Sequence, residues 1–299
     1  MEKCRINKWF EWRPKNIKSK YLTIYFIPYF KLIRPFNILI SCVTLILISI
    51  SLNRVLYSES LIYALLVISF FTAGANSIND SIDHKIDSIN NPKRPIPNGE
   101  ISPFEARVFS FWMFFLGIFF SLFLNQNSFI LSVIIALPLI IFYSVFFKNT
   151  PIFGNLIVSL IISIAFLFIG SINNNFKSII TISLLGFLFT FAREFIKDIA
   201  DYDGDKASKI NTFPVLYGIK KSIKIAVLIL ILLIFSLLIP FFVQIFSIKY
   251  LIIIIFGICI PIFGIIISLI KFPNISTFKK SSLILKLLFL VGLFAIYFE

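Results

Sequence analysis

The chain is punctuated by runs of about 20 mostly apolar residues, the length at which a helix crosses the hydrocarbon core of a bilayer. Such runs occur at roughly 36–53, 61–79, 108–124, 128–147, 155–171, 178–196, 222–245, 249–270 and 281–298. Polar or turn-forming breaks separate them, among them Asn125-Gln126-Asn127-Ser128 and Asn173-Asn174-Asn175. With 59% hydrophobic and 14% charged residues among 299, the chain carries more apolar surface than a soluble core can hide. The expected fold is therefore all-α and polytopic, with nine transmembrane helices within residues 31–299. The preceding segment, residues 1–30, is basic and holds Trp9, Phe10 and Trp12 among its charges. It lacks the apolar run and small-residue cleavage site of a signal peptide, and reads as a stretch lying on the membrane surface.

The basic residues give an orientation. With the N-terminus inside, 25 of the 28 lysines and arginines fall in inner segments, and only Arg54, Lys177 and Lys249 fall outside. The positive-inside bias thus predicts a multi-pass cell-membrane protein with a cytoplasmic N-terminus and an external C-terminus. It also accounts for the net charge of +14, which needs no nucleic-acid partner. Cys4, Cys42 and Cys259 are scattered, form no paired motif and receive no role.

All seven aspartates lie in two short stretches, each directly after an apolar span. Asn79, Asp83 and Asp87 recur at i, i+4 and i+8, with Asp80 beside them. On a continuing helix they form one stripe of oxygen ligands about 5–6 Å apart. In the second stretch, Asp198, Asp201 and Asp205 share a face at i, i+3 and i+7, provided that Gly204 does not end the helix first. Arg193 and Lys197 add cations one turn apart. Two such stripes facing each other would hold a pair of Mg2+ ions and a diphosphate, since Mg2+ takes one or two carboxylates and completes its shell with water and phosphate oxygens. The plainer alternative, two solvated helix ends, leaves unexplained why every Asp falls in two windows. His84, the single histidine, lies off the stripe as a solvated or supporting residue, so no histidine metal site or Ser-His-Asp triad can form. No glycine-rich phosphate loop occurs.

Asn90-Asn91-Pro92-Lys93-Arg94-Pro95-Ile96-Pro97-Asn98-Gly99 is a rigid turn that holds Lys93 and Arg94 near the first stripe. For Lys93, a phosphate contact and an ordinary positive-inside loop residue weigh equally, as they do for Lys148, alone in its short loop beside Tyr143 and Asn155. Arg34, before Pro35 at the mouth of the first span, reads equally as a phosphate contact and as a snorkelling anchor.

Together these motifs carry a family resemblance. Asn79-Asp80-x-x-Asp83-x-x-x-Asp87, followed by Asn91-Pro92-x-Arg94-Pro95-Ile96-Pro97-x-Gly99, resembles the first signature of the UbiA superfamily of intramembrane prenyltransferases. Arg193-Glu194-x-x-Lys197-Asp198-Ile199-x-Asp201-x-x-Gly204-Asp205-Lys206 resembles the second. Shorter echoes are Leu32-Ile33-Arg34-Pro35-x-Asn37 and Tyr143-Ser144-x-x-x-Lys148-x-Thr150-Pro151-x-x-Gly154-Asn155. The second signature is most similar to the digeranylgeranylglyceryl phosphate synthase branch, while chlorophyll synthases share the Arg-Pro-Ile-Pro turn. Ser81-Ile82 and Thr212-Phe213-Pro214 depart mildly from the usual pattern.

The resemblance implies nine helices around a central cavity open to the cytoplasmic side, and Mg2+-dependent transfer of a geranylgeranyl group from its diphosphate to the hydroxyl of geranylgeranylglyceryl phosphate. An aromatic or chlorophyllide-like acceptor is the alternative within the superfamily. The implied metal ligands are Asn79 or Asp80, with Asp83, Asp87, Asp198, Asp201 and Asp205. Asp83, Asp87, Asp201, Asp205 and Lys197 are the catalytic candidates. Arg34, Arg94, Lys148, Arg193 and Lys197 would bind the diphosphate. The expected partners are a prenyl diphosphate, a lipid-like acceptor and membrane lipid, with no obligate protein. A cation transporter would instead place acids near the bilayer midplane, and a non-catalytic lipid-binding scaffold would need no paired stripes.

Overall fold

The computed structural model describes residues 22–53, 59–147, 150–172 and 176–298, so residues 1–21 of the basic segment and Lys148 lie outside the described residues. The described chain is helical throughout, without a strand. In order, the helices are α1 (Leu22–Leu32), α2 (Pro35–Asn53), α3 (Glu59–Asn90), α4 (Pro103–Ser121), α5 (Gln126–Phe147), α6 (Phe153–Ile172) and α7 (Phe176–Ala200). The short α8 (Tyr202–Ala207) and α9 (Phe213–Tyr217) follow, then α10 (Ile219–Phe242), α11 (Ile248–Lys271) and α12 (Ile275–Tyr297).

Among the described residues, eight helices are long and apolar enough to cross a membrane. A further span arises if α1 and α2 count together, as Phe26–Leu32 and Pro35–Ser51 bent by 51°. The bend has a local cause. Pro35 lacks an N–H and disfavours right-handed helical geometry at the residue before it, and Arg34 lies outside that region at φ +54°. A non-glycine residue held there costs about 1–3 kcal/mol. The Asn76 side chain donates to Ile33 O at 2.8 Å, occupying a carbonyl that the broken helix leaves open.

In lipid there is little hydrophobic drive between helices, so close approach and polar contacts hold the bundle together. The two largest pairings are α3 with α4 and α6 with α7. Each places a glycine beneath a ring: a Cβ at Gly117 would come within 2.3 Å of Phe71, and one at Gly186 within 2.3 Å of Phe166. Each pairing is also stitched by serine. Ser110 donates to Gly74 O at 2.8 Å, and Ser183 pairs with the Ser163 hydroxyl at 2.7 Å and its carbonyl at 2.8 Å. These pairings fix α3 and α7, the helices that carry the acids.

Both acid-bearing helices outrun their apolar stretches, and α3 continues without a break through Asp87 to Asn90. The Pro-rich turn then leaves it. Ile96 and Ile101 are buried against Leu32 and Ala106 in a small separate core, which pins the turn beneath α1. Gly99 closes it at φ +77°, and a Ser102–Glu105 capping box starts α4.

Gly186→Ala is expected to destabilise the bundle by about 1–3 kcal/mol through overpacking. Gly264→Ala, where an added Cβ meets nothing within 4 Å, should leave stability unchanged or slightly raised. Thermal unfolding in detergent compares the two; equal melting temperatures would show that α6 and α7 do not pack as described.

Candidate active site

The first acidic group lies along one side of the end of α3. Asp80, Asp83 and Asp87 are all buried, with Asp80 3% exposed. With successive residues turning by about 100°, Asp80 lies at the edge of the stripe, on the Asp87 side and farthest from Asn79. Its Oδ1 receives the Arg34 guanidinium in a close ion pair and Arg94 Nη1 at 3.2 Å. Arg94 Nη1 also reaches Asp87 Oδ2 at 2.5 Å, and Asn91 Nδ2 donates to Asp87 Oδ1 at 3.2 Å. The turn therefore delivers Asn91 and Arg94 back onto the helix it has just left. Arg34 and Arg94, both expected at a diphosphate, each pair with a carboxylate in this structure. His84 is half-buried, with Nδ1 2.9 Å from Ser81 O, and stands off the stripe.

The second group is organised differently. The regular helix gives way at Asp201 (φ −94°, ψ 6°), earlier than Gly204, so Asp198, Asp201 and Asp205 follow a bent path. Hydrogen bonds still bridge the bend, from Asp201 N to Lys197 O and from Asp205 N to Asp201 O, each 2.9 Å. Lys209, at φ +56°, ends the turn, with Ile210 N bonded back to Asp205 O at 2.9 Å. Asn155 of α6 donates to Asp198 Oδ2 at 2.8 Å. Arg193 makes a close ion pair with Glu194, and Lys197 Nζ lies 3.4 Å from the same carboxylate. Loss of water around the Asp201 carboxyl raises its pKa although the residue keeps an exposed edge. Lys197 and Lys279 pull it back down, and Glu194 adds to the rise.

Helix α6 packs against both α3 and α7 and so stands beside both groups. Among the described residues, no three His, Cys, Asp or Glu side chains converge on a point that could hold a metal ion. The donor set nonetheless fits Mg2+. The Asn79 Oδ1 atom is buried without a hydrogen-bond partner among the described residues, a costly state for a carbonyl oxygen, and it lies in line with two buried carboxylates. Sequence reasoning missed Asn155 as the partner of Asp198, and Glu194 as the anchor of both Arg193 and Lys197. Only the i, i+3 spacing of Glu194 and Lys197 could have signalled the latter.

A helical membrane bundle with charged, oxygen-rich clusters at the ends of two spans is the architecture of an intramembrane enzyme rather than a passive scaffold. The model of the UbiA prenyltransferase family matches residues 38–291, and the chain belongs to that family. It is thus a multi-pass membrane prenyltransferase. Digeranylgeranylglyceryl phosphate synthase of Methanosphaera stadtmanae is 34% identical over 224 residues, covering 75% of this chain and 81% of the relative. That of Methanobrevibacter smithii is 36% identical over 231 residues with the same coverage. A solved structure of digeranylgeranylglyceryl phosphate synthase in membranes superposes with a TM-score of 0.76 at 31% identity, covering 92% of this chain and 98% of that one. A UbiA homolog from Archaeoglobus fulgidus bound to DMAPP and Mg2+ shares the fold at 19% identity, with a TM-score of 0.68 over 90% of this chain and 99% of the other.

Replacing Asn79 separates a ligand from a structural residue. Asn79→Ala removes a buried unpartnered oxygen, so thermal stability should hold or rise slightly while prenyl transfer falls at least tenfold. Asp80→Ala strands Arg34 and Arg94 and should cost about 1–3 kcal/mol of stability, less than a fully buried pair because both arginines are partly exposed. Unfolding in detergent and initial rates measure both; a large stability loss from Asn79→Ala would refute its role as an open donor.

Proposed function

We propose that this protein transfers a geranylgeranyl group from geranylgeranyl diphosphate to the free hydroxyl of geranylgeranylglyceryl phosphate, a step of ether-lipid synthesis, with Mg2+ as cofactor. The observation that carries the reaction type is the Asn79, Asp83 and Asp87 stripe, with its open Asn79 oxygen, paired with a second acidic group on α7 and α8. The donor and acceptor rest on the relatives at 34–36% identity, which bear the digeranylgeranylglyceryl phosphate synthase name.

In this reading Asn79, Asp83 and Asp87 hold metal from one side, and Asp198, Asp201 and Asp205 from the other. Bound Mg2+ supplies electrostatic stabilisation of the diphosphate leaving group. The residues of the chain do the rest. Lys197 and Arg193, tethered by Glu194, present cations to the diphosphate oxygens, joined by Arg94 and by Lys148. Asn155 orients Asp198. The allylic C1–O bond breaks with its electron pair leaving on the diphosphate. The acceptor oxygen then bonds to C1, and its proton passes to the departing diphosphate. Pre-placed charges lower the barrier most where water is scarce, and excluding water also keeps the allylic cation from being trapped as an alcohol. A cavity central to nine spans and open to the cytoplasm would serve this, with the polyprenyl tail lying among apolar helices. The basic residues favour a cytoplasmic N-terminus, an external C-terminus and a membrane-surface role for residues 1–30.

Purified protein given geranylgeranyl diphosphate, geranylgeranylglyceryl phosphate and Mg2+ should release diphosphate and form the doubly alkylated product, identified by mass. An aromatic acid or chlorophyllide-like acceptor should give none. Chelating Mg2+ should abolish turnover reversibly. Asp83→Asn and Asp201→Asn should each lower transfer by about 100-fold or more, as losses of a transition-state charge clamp do. Full activity in both variants would sink the metal-clamp assignment.

A further inference from the structure

A cavity of about 450 Å³ opens beside, not within, the acidic stripe, lined by Lys31, Arg34, Asp80, Asn91, Pro92, Lys93, Arg94 and Pro95. Asn79, Asp83 and the α7 carboxylates take no part in its wall. The lining brings four cations against one carboxylate, a net charge of +3. Part of that charge is already answered, by Asp80 on Arg34 and Arg94, by Asp87 on Arg94, and by Glu100 at 3.8 Å from Lys31. Lys93 is exposed and makes no ion pair among the described residues, and Lys31 keeps half of its side chain in solvent. The positive end of α2, which starts at Pro35 immediately after Arg34, adds to the same field.

We infer that this cavity is a phosphate-monoester site that seats the head group of a lipid acceptor, next to the site of the diphosphate. The inference rests on the proposed reaction for the identity of the lipid. Three features of the cavity carry it. The wall is cationic where a dianion needs it, and Arg34 is held there by a strained backbone and a buried counter-charge rather than left to swing toward the stripe. Arg94 bridges Asp80 and Asp87, so a head group in the cavity lies beside the stripe, next to Asp87. Finally, Phe26 and Phe30, one turn apart on α1 and 70% and 60% exposed, offer an apolar track leading from Lys31 for the acceptor's tail.

The test uses the full-length protein in detergent and the double variant Lys31→Ala/Lys93→Ala, both sites being exposed enough to spare the fold. Equilibrium binding is measured without Mg2+ or donor, using geranylgeranylglyceryl phosphate, the same lipid lacking its phosphate, and inorganic phosphate. The parent should bind the phosphorylated lipid at least tenfold more tightly than the dephosphorylated one, and the variant should lose that preference. Affinity for geranylgeranyl diphosphate with Mg2+ should stay within about twofold. An unchanged preference in the variant, or a parallel fall in donor affinity, overturns the site. Inorganic phosphate binding as tightly as the lipid overturns the lipid assignment. Because binding is read without turnover, a lysine-dependent preference in a protein that fails to alkylate this lipid supports the site while sinking the proposed reaction. Transfer with a lysine-independent affinity does the reverse.

Discussion

A carboxylate buried at the end of an apolar span is the constraint from which the site side of this protein follows. Asp80 is all but removed from solvent, and an unpaired charge there would cost several kcal/mol. Its two arginines come from opposite directions along the chain, Arg34 from 46 residues before and Arg94 from 14 residues after. To bring Arg34 to it, the chain must break between α1 and α2 and accept a left-handed residue. To bring Arg94, it must leave α3, turn through three prolines and bury Ile96 beneath α1. The strain at Arg34, about 1–3 kcal/mol, is smaller than the penalty it relieves, so the bend persists.

The same rule operates on α7 with other means. Asp198 is answered by a neutral donor, Asn155, from the neighbouring helix, while Arg193 and Lys197 are held by Glu194 from their own. The two acid-bearing helices are thus each stabilised by the helix they pack against most extensively or by the turn that follows. Glycine contacts and serine bridges at α3–α4 and α6–α7 set the distances at which these polar partners meet. Packing in the lipid region and chemistry at its edge are coupled through the same pairs of helices.

Much of this was legible in the sequence because hydrophobic run length and helical spacing are local properties. The apolar runs place the spans of α3 to α7 and α10 to α12, and the i, i+4, i+8 spacing of Asn79, Asp83 and Asp87 describes an unbroken helix face. The first run, at 36–53, proved harder: alone it falls short as a span, and it qualifies only together with the bent α1. Asp201 was expected to lie on a straight face, yet the helix bends there rather than at Gly204; Asp and Gly are poor helix formers, and their run over 201–205 does not say at which of them the helix gives way. The partners Arg34–Asp80 and Asn155–Asp198, 46 and 43 residues apart, depend on which helices become neighbours, and no local pattern encodes that. Lys148 lies outside the described residues.

One ambiguity in the sequence turns on a rotation of about 100°. Asn79 and Asp80 are adjacent, and by charge alone Asp80 is the better metal ligand. The fold gives them different hydrogen-bond partners. Asp80 faces the arginines, its Oδ1 occupied twice, and withdrawing it would strand two guanidinium groups. Asn79 lies on the stripe with a buried oxygen that no described residue satisfies. A neutral amide oxygen is a weaker ligand than a carboxylate, but it adds no repulsion beside Asp83 and Asp87, and Mg2+ needs only one or two carboxylates before substrate phosphate completes its shell. In this arrangement Asp80 is held by the two arginines, while Asn79 keeps an open oxygen among the described residues, beside Asp83 and Asp87.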